Sequence, residues 1–570
     1  MKNTEIASIF FEMADILEMQ NVQWKPVAYR KAARAINELS EDVFDIYSKG
    51  GLKALEEIPG VGENIAGKIE EFLKTGRVNS YGKLKKSLPS GLSALLQVPG
   101  LGPKKAMMLY KELKIKNVKD LEKAALSHKI SKLPLFKQKA EENILKGLDI
   151  YKKGQERVLL AYAMPIAEEI KKALEKKAEK VVIAGSLRRM RDTVKDIDIL
   201  AVSSRPSDVI KIFVSLPSVK SVIAKGDTKS SVLLDNNMQA DLRVVPLKSF
   251  GAAMQYFTGS KDHNIELRKI AIAKKLKLSE YGIFDSHGKQ VAGKTEEEVY
   301  KKLGLSYIEP ELRENTGEIQ AALQGMLPKL ISIADIKGDL HCHSTYSDGN
   351  NTIEEMALAA KKRGYSYICI SDHSKSEYIA NGLSEETLLK KIDEVRKVNK
   401  KLRGIRVLCG SEVNILEDGS LDYSDDILKK LDIVVVSVHS KFRMPREEIT
   451  ARLVKAISNP YVNILGHPTS RHFGKREEMD IDMNRLIEAA KEHNVALEIN
   501  SSPARMDLRD VYVKKAVEKG AKISVNTDAH SVEELKFMKF GIGTARRGWC
   551  SRMDVLNTYS LNELMKFLKK

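Results

Sequence analysis

Apolar residues fall at helical spacing along IASIFFEMADILEMQ, and PVAYRKAARAINEL repeats the pattern behind Pro26, whose fixed φ suits a first helical turn. Short amphipathic helices are therefore expected over residues 1–85, and helices continue over 86–150. From about 151 the texture changes. ERVLLAYAMPIAEEIKKALEKK reads as one long helix, KVVIAGS as a buried strand with its turn, and KDIDILAV as a second strand, which together make an α/β layer. MQADLRVVPL adds a strand, YFTGSKDHNIELRKIAIAKKL a helix behind aromatics and a glycine, and EYGIFD a hairpin strand. After a helical connector at 319–335, apolar strands such as YICI, LDIVVVSV and YVNIL alternate with helices. Strand, polar residue, helix, repeated, is the pattern of an α/β barrel with its site at the carboxyl ends of the strands.

A chain of 570 residues exceeds one hydrophobic core and should divide into several domains. It holds no apolar run long enough to span a bilayer, and acids interrupt the apolar residues of MKNTEIASIFFEMADILEM, which does not suit a signal peptide. A cytoplasmic, monomeric protein without a membrane partner is expected. Cys342, Cys369, Cys409 and Cys550 are scattered with no CxxC, so neither a disulfide framework nor a cysteine zinc site is indicated. A net charge of +18 favours a polyanionic partner, though only modestly on its own.

Motifs sharpen that preference. IPGVG and VPGLG each lead into a helix, so Gly60 and Gly62, then Gly100 and Gly102, expose backbone N–H groups at a helix start, where a phosphate is favoured without any base being read. One such turn is ordinary; two copies resemble paired helix-hairpin-helix elements that grip the DNA backbone. In AGSLRRMRDTVKDIDILAV, Asp196 and Asp198 share one face of a strand a few residues after Gly185, Ser186 and three arginines. Two solvated acids at a strand end would explain an isolated DxD. Joined to the small-residue turn and the arginines, the block suits Mg2+ bound to a polyphosphate. Asp241 is the third carboxylate that two-metal phosphoryl transfer needs, while a lone strand Asp is more often a cap. Asn264 and Arg268 lie at i, i+4 on one helix face.

Histidine becomes informative near the end. His341, His343, Asp348, His373, Glu412, His439, His467, Asp528 and His530 stand at or beside successive strands, with Asp372 next to His373. A single histidine after a strand is most often packed or capping. Six imidazoles with three carboxylates suit Zn2+, Mn2+ or Fe rather than Mg2+ and are too many for one ion.

In order, the two hairpins, GSLRR with DIDIL, ADLR and YFTGSKDHNIELR resemble the family X DNA polymerases, over residues 1–318. The resemblance implies helical helix-hairpin-helix domains at 1–85 and 86–150, a nucleotidyltransferase-like α/β palm at 151–250, and a nucleotide-selection, thumb-type subdomain at 251–318. It implies that Asp196 and Asp198 bind both metals (Mg2+ or Mn2+), and that Asp241 joins the catalytic ion and helps deprotonate the primer 3′-OH. Gly185, Ser186 and Arg189 would hold the incoming deoxynucleoside triphosphate. Tyr256, Phe257 and Gly259 would line the sugar, and Asn264 and Arg268 would contact the nucleotide and the minor groove. Met190 and Lys195 stand where animal members commonly have glycine. Lys68 occupies the position of the family's 5′-deoxyribose-phosphate lyase nucleophile, with Lys25 and Tyr29 at its 5′-phosphate pocket. Asn64 replaces a second basic residue there, and a plain phosphate contact by Lys68 is the competing reading.

Residues 336–570, including ALEINSSP, resemble the polymerase and histidinol phosphatase (PHP) domain, a distorted seven-stranded barrel. All nine ligand positions are filled, which implies up to three Zn2+, Mn2+ or Fe ions and 3′-5′ exonuclease, abasic-site endonuclease or 3′-end cleaning activity. The whole reads as a multidomain α and α/β repair polymerase acting on gapped or nicked duplex DNA. The rival is a DNA-end phosphoesterase with a DNA-binding, weakly active front half.

Overall fold

The structure is a computed structural model. It describes residues 2–20, 22–39, 42–86, 92–95, 98, 101–134, 136–138, 140–142, 144, 145, 148, 157–473 and 475–569. The chain divides into two compact units, Met1–Glu156 with Asn236–Met238, and Arg157–Asp235 with Gln239–Lys570.

The first unit is helical among its described residues, as the apolar spacing predicts. Helices Lys2–Met19, Lys25–Glu38, Val43–Glu56 and Glu63–Thr75 enclose a core that includes Phe10, Met13, Ile36, Leu55 and Ile69. Gly60 turns the chain at φ +86°, where a Cβ would meet the Lys31 side chain at 2.8 Å, and Gly62 caps helix Glu63–Thr75. The second hairpin matches the first at its helix start: Gly102 caps helix Pro103–Leu113, and Leu109 and Ala106 join a second core. Gly100 lies outside the described residues.

The second unit opens with a departure from the expected long helix. Val158–Leu159 pair with Thr193–Val194 as a two-residue ribbon, so the helix begins at Leu160 and runs to Leu174. Two residues are too few to carry a strand's alternation. A five-stranded sheet follows, with Lys180–Ile183, Asp196–Val202, Gln239–Val245, Lys229–Leu234 and Val219–Lys225 in that spatial order. The expected EYGIFD hairpin appears as Lys277–Ser279, Gly282–Phe284 and Gln290–Ala292 in one small antiparallel sheet.

The carboxy-terminal half is a seven-stranded parallel sheet in sequential order, from Gly338–Cys342 to Ile523–Asn526. A bridge between Cys342 and Ala529 and the bond from His343 N–H to the Ala529 carbonyl (2.8 Å) bring the first and last strands together. Strands Tyr367–Ile370 and Ile433–Ser437 are buried on both faces, which is why they read as continuous apolar runs. The segment 319–335, expected as a connector, packs down: Ile331 is fully buried and donates its N–H to the Cys550 carbonyl at 2.9 Å. All four cysteines are buried and unpaired.

Candidate functional site

In the five-stranded sheet, strand Asp196–Val202 alternates: Asp196 and Asp198 are partly buried on one face while Ile197 and Ile199 are fully buried on the other. Parallel pairing with strand Gln239–Val245 sets Asp198 directly beside Asp241 and Asp196 beside Gln239. The third carboxylate thus comes from the neighbouring strand in register. Ser231 Oγ and Gln239 Nε2 (2.8 Å) both donate to Asp241, fixing its orientation. Burial, followed by the charges of Asp196 and Asp241, pushes the Asp198 carboxyl up to about 7, against the pull of Arg189 and Arg243. Asp196 is raised by burial and by Asp241. Two acids held above their ordinary range beside a third carboxylate form a donor set that a hard divalent cation would relieve.

Gly185 begins the turn at φ +61°, and a Cβ there would sit 2.0 Å from Asp198 Oδ2. Only glycine lets the turn approach the acid so closely. Arg188 is bidentate to Glu296, which also binds the fully buried Arg313. Arg189 donates through Nε to Glu314 at 2.9 Å and through Nη1 to the Thr258 carbonyl. Tyr256 and Phe257 meet edge to face with centroids 5.1 Å apart, and Arg243 lies over Phe257. Gly259 faces Arg189, with an added Cβ 3.2 Å from Nη1. Asn264 is buried and engaged: it accepts from Gln255 at 2.6 Å and donates to the Tyr256 carbonyl at 2.8 Å. Arg268, on the same helix Lys261–Ala273, is half-exposed.

The barrel gathers its nine residues more tightly. Among the described residues, three overlapping groups have ligand atoms within 4.8 Å of one another: His343, Asp348, His373 and His530; His341, His343, Glu412 and Asp528; and His373, Glu412 and His439. His467 Nε2 reaches Glu412 at 2.9 Å. The palm aspartates form no group that close. Several imidazoles have one nitrogen tied back and the other turned inward. His341 Nδ1 is held by Glu498 (2.8 Å), His439 Nδ1 by Asn414, and His530 Nδ1 by the Asp528 carbonyl (2.8 Å). Buried His341 Nε2, His343 Nδ1 and His467 Nδ1 have no hydrogen-bond partner. Orphaned nitrogens facing clustered carboxylates fit metal ions, with Glu498 and Asn414 in the outer role that orients a ligating histidine. Burial and the neighbouring His530 and His373 lower His343 to about 4, leaving it neutral as a ligand requires. Two ligand positions are held in the left-handed region, His467 at φ +26° and Asp528 at φ +54°. Asp372, beside His373 in sequence, instead pairs with buried Lys391 at 2.8 Å and accepts from Ser344 and Ser347.

In the helical unit, Lys68 lies on helix Glu63–Thr75 with Nζ donating to the Asn64 carbonyl at 2.9 Å. Burial lowers its pKa, Glu71 opposes this, and Lys25 adds to it. Tyr29 is buried against Phe10.

Four family models match parts of the chain. Residues 1–78 match a helix-hairpin-helix domain, 92–149 a SAM-like helix-hairpin-helix tandem, 253–314 the DNA polymerase beta thumb, and 339–502 the PHP domain. Along its whole length the chain is 40% identical to the DNA polymerase/3′-5′ exonuclease PolX of Bacillus subtilis strain 168, with all of both chains covered. The chain belongs to the family X DNA polymerases that carry a PHP domain. Over part of its length the chain is 35% identical to a protein named probable phosphatase from Thermoanaerobacter sp. strain X514, covering 41% of this chain and 94% of that protein. Another so named, from Caldanaerobacter subterraneus, is 35% identical over 34% of the chain and 75% of its own length. As a member of this family the chain is an enzyme with a metal-dependent phosphoesterase domain. Its sequence motifs leave out the supporting residues of both sites: Glu296, Glu314, Glu498 and Lys391 carry no spacing signal, although Glu498 lies within ALEINSSP.

Proposed function

We propose that this family X polymerase fills short gaps in duplex DNA during base excision repair, and that its PHP barrel degrades or prepares 3′ ends as a 3′-5′ exonuclease, abasic-site endonuclease or end-cleaning activity. The observation that supports this reading is that one chain gathers two separate sets of donor groups: Asp198 in register with Asp241 beside Asp196, and the clustered histidines and carboxylates of the barrel.

In the palm, Asp196, Asp198 and Asp241 would hold Mg2+ or Mn2+, which supplies charge neutralisation for in-line attack on a triphosphate. Gly185, Ser186 and Arg189 bind the triphosphate, and Arg189, tethered to Glu314 and Thr258, presents its remaining N–H groups to it. The primer 3′ oxygen bonds to the α-phosphorus, pyrophosphate leaves, and Asp241 helps remove the hydroxyl proton. Tyr256, Phe257 and Gly259 line the sugar. Asn264 fixes Tyr256 through its carbonyl, and Arg268 faces the minor groove. Gly60, Gly62, Gly100 and Gly102 hold the DNA backbone. In the barrel, His341, His343, Asp348, His373, Glu412, His439, His467, Asp528 and His530 would hold up to three Zn2+, Mn2+ or Fe ions, which supply an activated water and a clamp for the scissile phosphate.

Lys68 would open a baseless 5′-sugar phosphate by forming a Schiff base, with Lys25 and Tyr29 at the 5′-phosphate. Burial and Lys25 shift its pKa downward, the direction a Schiff-base lysine needs. Borohydride trapping of purified protein on that substrate should give a covalent adduct that Lys68→Ala loses; no adduct would leave Lys68 as a phosphate contact.

The phosphatase-named relatives favour a second reading, a DNA-end phosphoesterase delivered by the front half. Nucleotide incorporation on a gapped duplex, compared in Mg2+ and Mn2+ while following 3′-end degradation, decides between them. Incorporation supports the polymerase reading, and degradation alone supports the rival.

A further inference from the structure

The turn assigned to the triphosphate is fastened to the tail domain. Met190 closes that turn at φ +52°, a conformation in which a glycine is unstrained and a methionine is not. Its side chain lies on Gly543 of helix Met538–Arg547, where an added Cβ would come within 2.7 Å of Met190 Cε. The methionine at a position where animal members commonly have glycine is therefore a docking residue for the barrel.

Charged contacts lie beside it. Arg547 donates through Nη1 to the Arg189 carbonyl at 2.9 Å and to Glu314 Oε1 at 2.9 Å, and through Nη2 to Asp510. The same Glu314 oxygen accepts from Arg189 Nε at 2.9 Å. Arg547 is 4% exposed and Glu314 18%, so these pairs are shielded from water. Arg471 of the barrel also reaches Asp192 at 3.1 Å, and Arg546 reaches Glu311 at 2.8 Å. In the central cluster three cations, Arg189, Arg547 and the more exposed Arg191 at 3.9 Å from Glu314, face two anions, Glu314 and Asp510. Without Arg547 the cluster loses its most buried cation next to the place an anionic triphosphate must occupy, Asp510 loses its ion pair, and Glu314 is left to Arg189 and the more exposed Arg191. The turn would also lose the donor that fixes its backbone at the Arg189 carbonyl.

We propose that Arg547, a residue of the nuclease domain, is a positioning residue for nucleotide binding by the polymerase half, acting through Glu314 and the backbone of Arg189. The tail domain thus sets nucleotide affinity in addition to its own chemistry. This rests on the reading of Arg189 as a triphosphate ligand.

The test is steady-state gap filling by the full-length protein, with KM for the deoxynucleoside triphosphate and kcat measured separately for Arg547→Ala, Arg547→Lys, Met190→Gly and Arg189→Ala. Thermal unfolding checks that each variant is folded. Arg547→Ala should raise KM about tenfold with kcat changed less than about twofold, and Arg547→Lys should recover part of that loss. Met190→Gly, which suits the turn's φ and removes the docking side chain, should raise KM roughly threefold. Met190→Gly keeps the proposal testable if Arg547→Ala does not fold. Unchanged KM in folded Arg547→Ala or Met190→Gly, alongside a raised KM in Arg189→Ala, overturns the proposal and leaves the Arg189 reading standing. Unchanged KM in Arg189→Ala overturns that reading and the proposal with it.

Discussion

Gly185 shows how closely one residue can control the palm. Its missing side chain leaves the space that Asp198 Oδ2 occupies, since a Cβ would approach to 2.0 Å. Gly185→Ala must move either the turn or the acid, and displacing a catalytic group by about 1 Å costs on the order of 100-fold. Single-nucleotide incorporation should fall by about that factor while 3′-end degradation is retained; near wild-type incorporation would mean that the turn and the acid are not coupled. The principal acids and imidazoles were legible because each sits in or beside an apolar strand, where a polar residue needs a reason. Their supports were not legible. Glu498, Asn414 and Lys391 are polar residues in strands or helices that look unremarkable until the fold brings Glu498 to His341, Asn414 to His439 and Lys391 to Asp372. Met190 was visible as a departure from a glycine pattern, but the helix it touches lies more than three hundred residues away along the chain.

Among the elements, the helix Met538–Arg547 joins the palm turn to the barrel, and its charges give it a pH signature. Burial raises the Asp510 carboxyl, but Arg547 beside it holds the net value below the ordinary range. A carboxylate with a depressed folded pKa stabilises the fold above its unfolded pKa, about 3.9, and that stabilisation is lost as pH falls through the folded value. Asp510→Asn should therefore lower the unfolding temperature at pH 7 by about 2 to 4 °C. The difference from wild type should shrink as pH falls below the unfolded pKa and close only below the depressed folded value, where the wild-type carboxyl is also neutral. A difference that does not shrink at all as the solution is acidified through the carboxylate range would show that the aspartate acts by shape rather than charge. The barrel strands were readable as elements because they are buried runs between helices, and the paired PGxG turns because they repeat. The ribbon Val158–Leu159 was hidden inside a helical pattern, because apolar residues next to a helix extend its apparent period.

Across the whole molecule, a net charge of +18, two glycine hairpins that present helix starts, and two metal-type donor sets converge on DNA. The sites differ in kind. The palm has three carboxylates on adjacent strands, suited to hard Mg2+ or Mn2+, while the barrel adds six imidazoles, suited to softer ions. On the proposed reading one would extend a 3′ end and the other would remove it, so the chain would govern both directions of the same terminus. Legibility at this scale was high for the sites and low for their connection, because ion pairs between distant segments leave no periodic trace in a sequence. The most direct measurement follows extension and degradation together on one gapped, 3′-labelled duplex, using folded full-length Asp198→Ala and His341→Ala. Two separate active centres predict that Asp198→Ala abolishes extension and keeps degradation, and that His341→Ala does the reverse. Loss of both activities in either folded variant would contradict them.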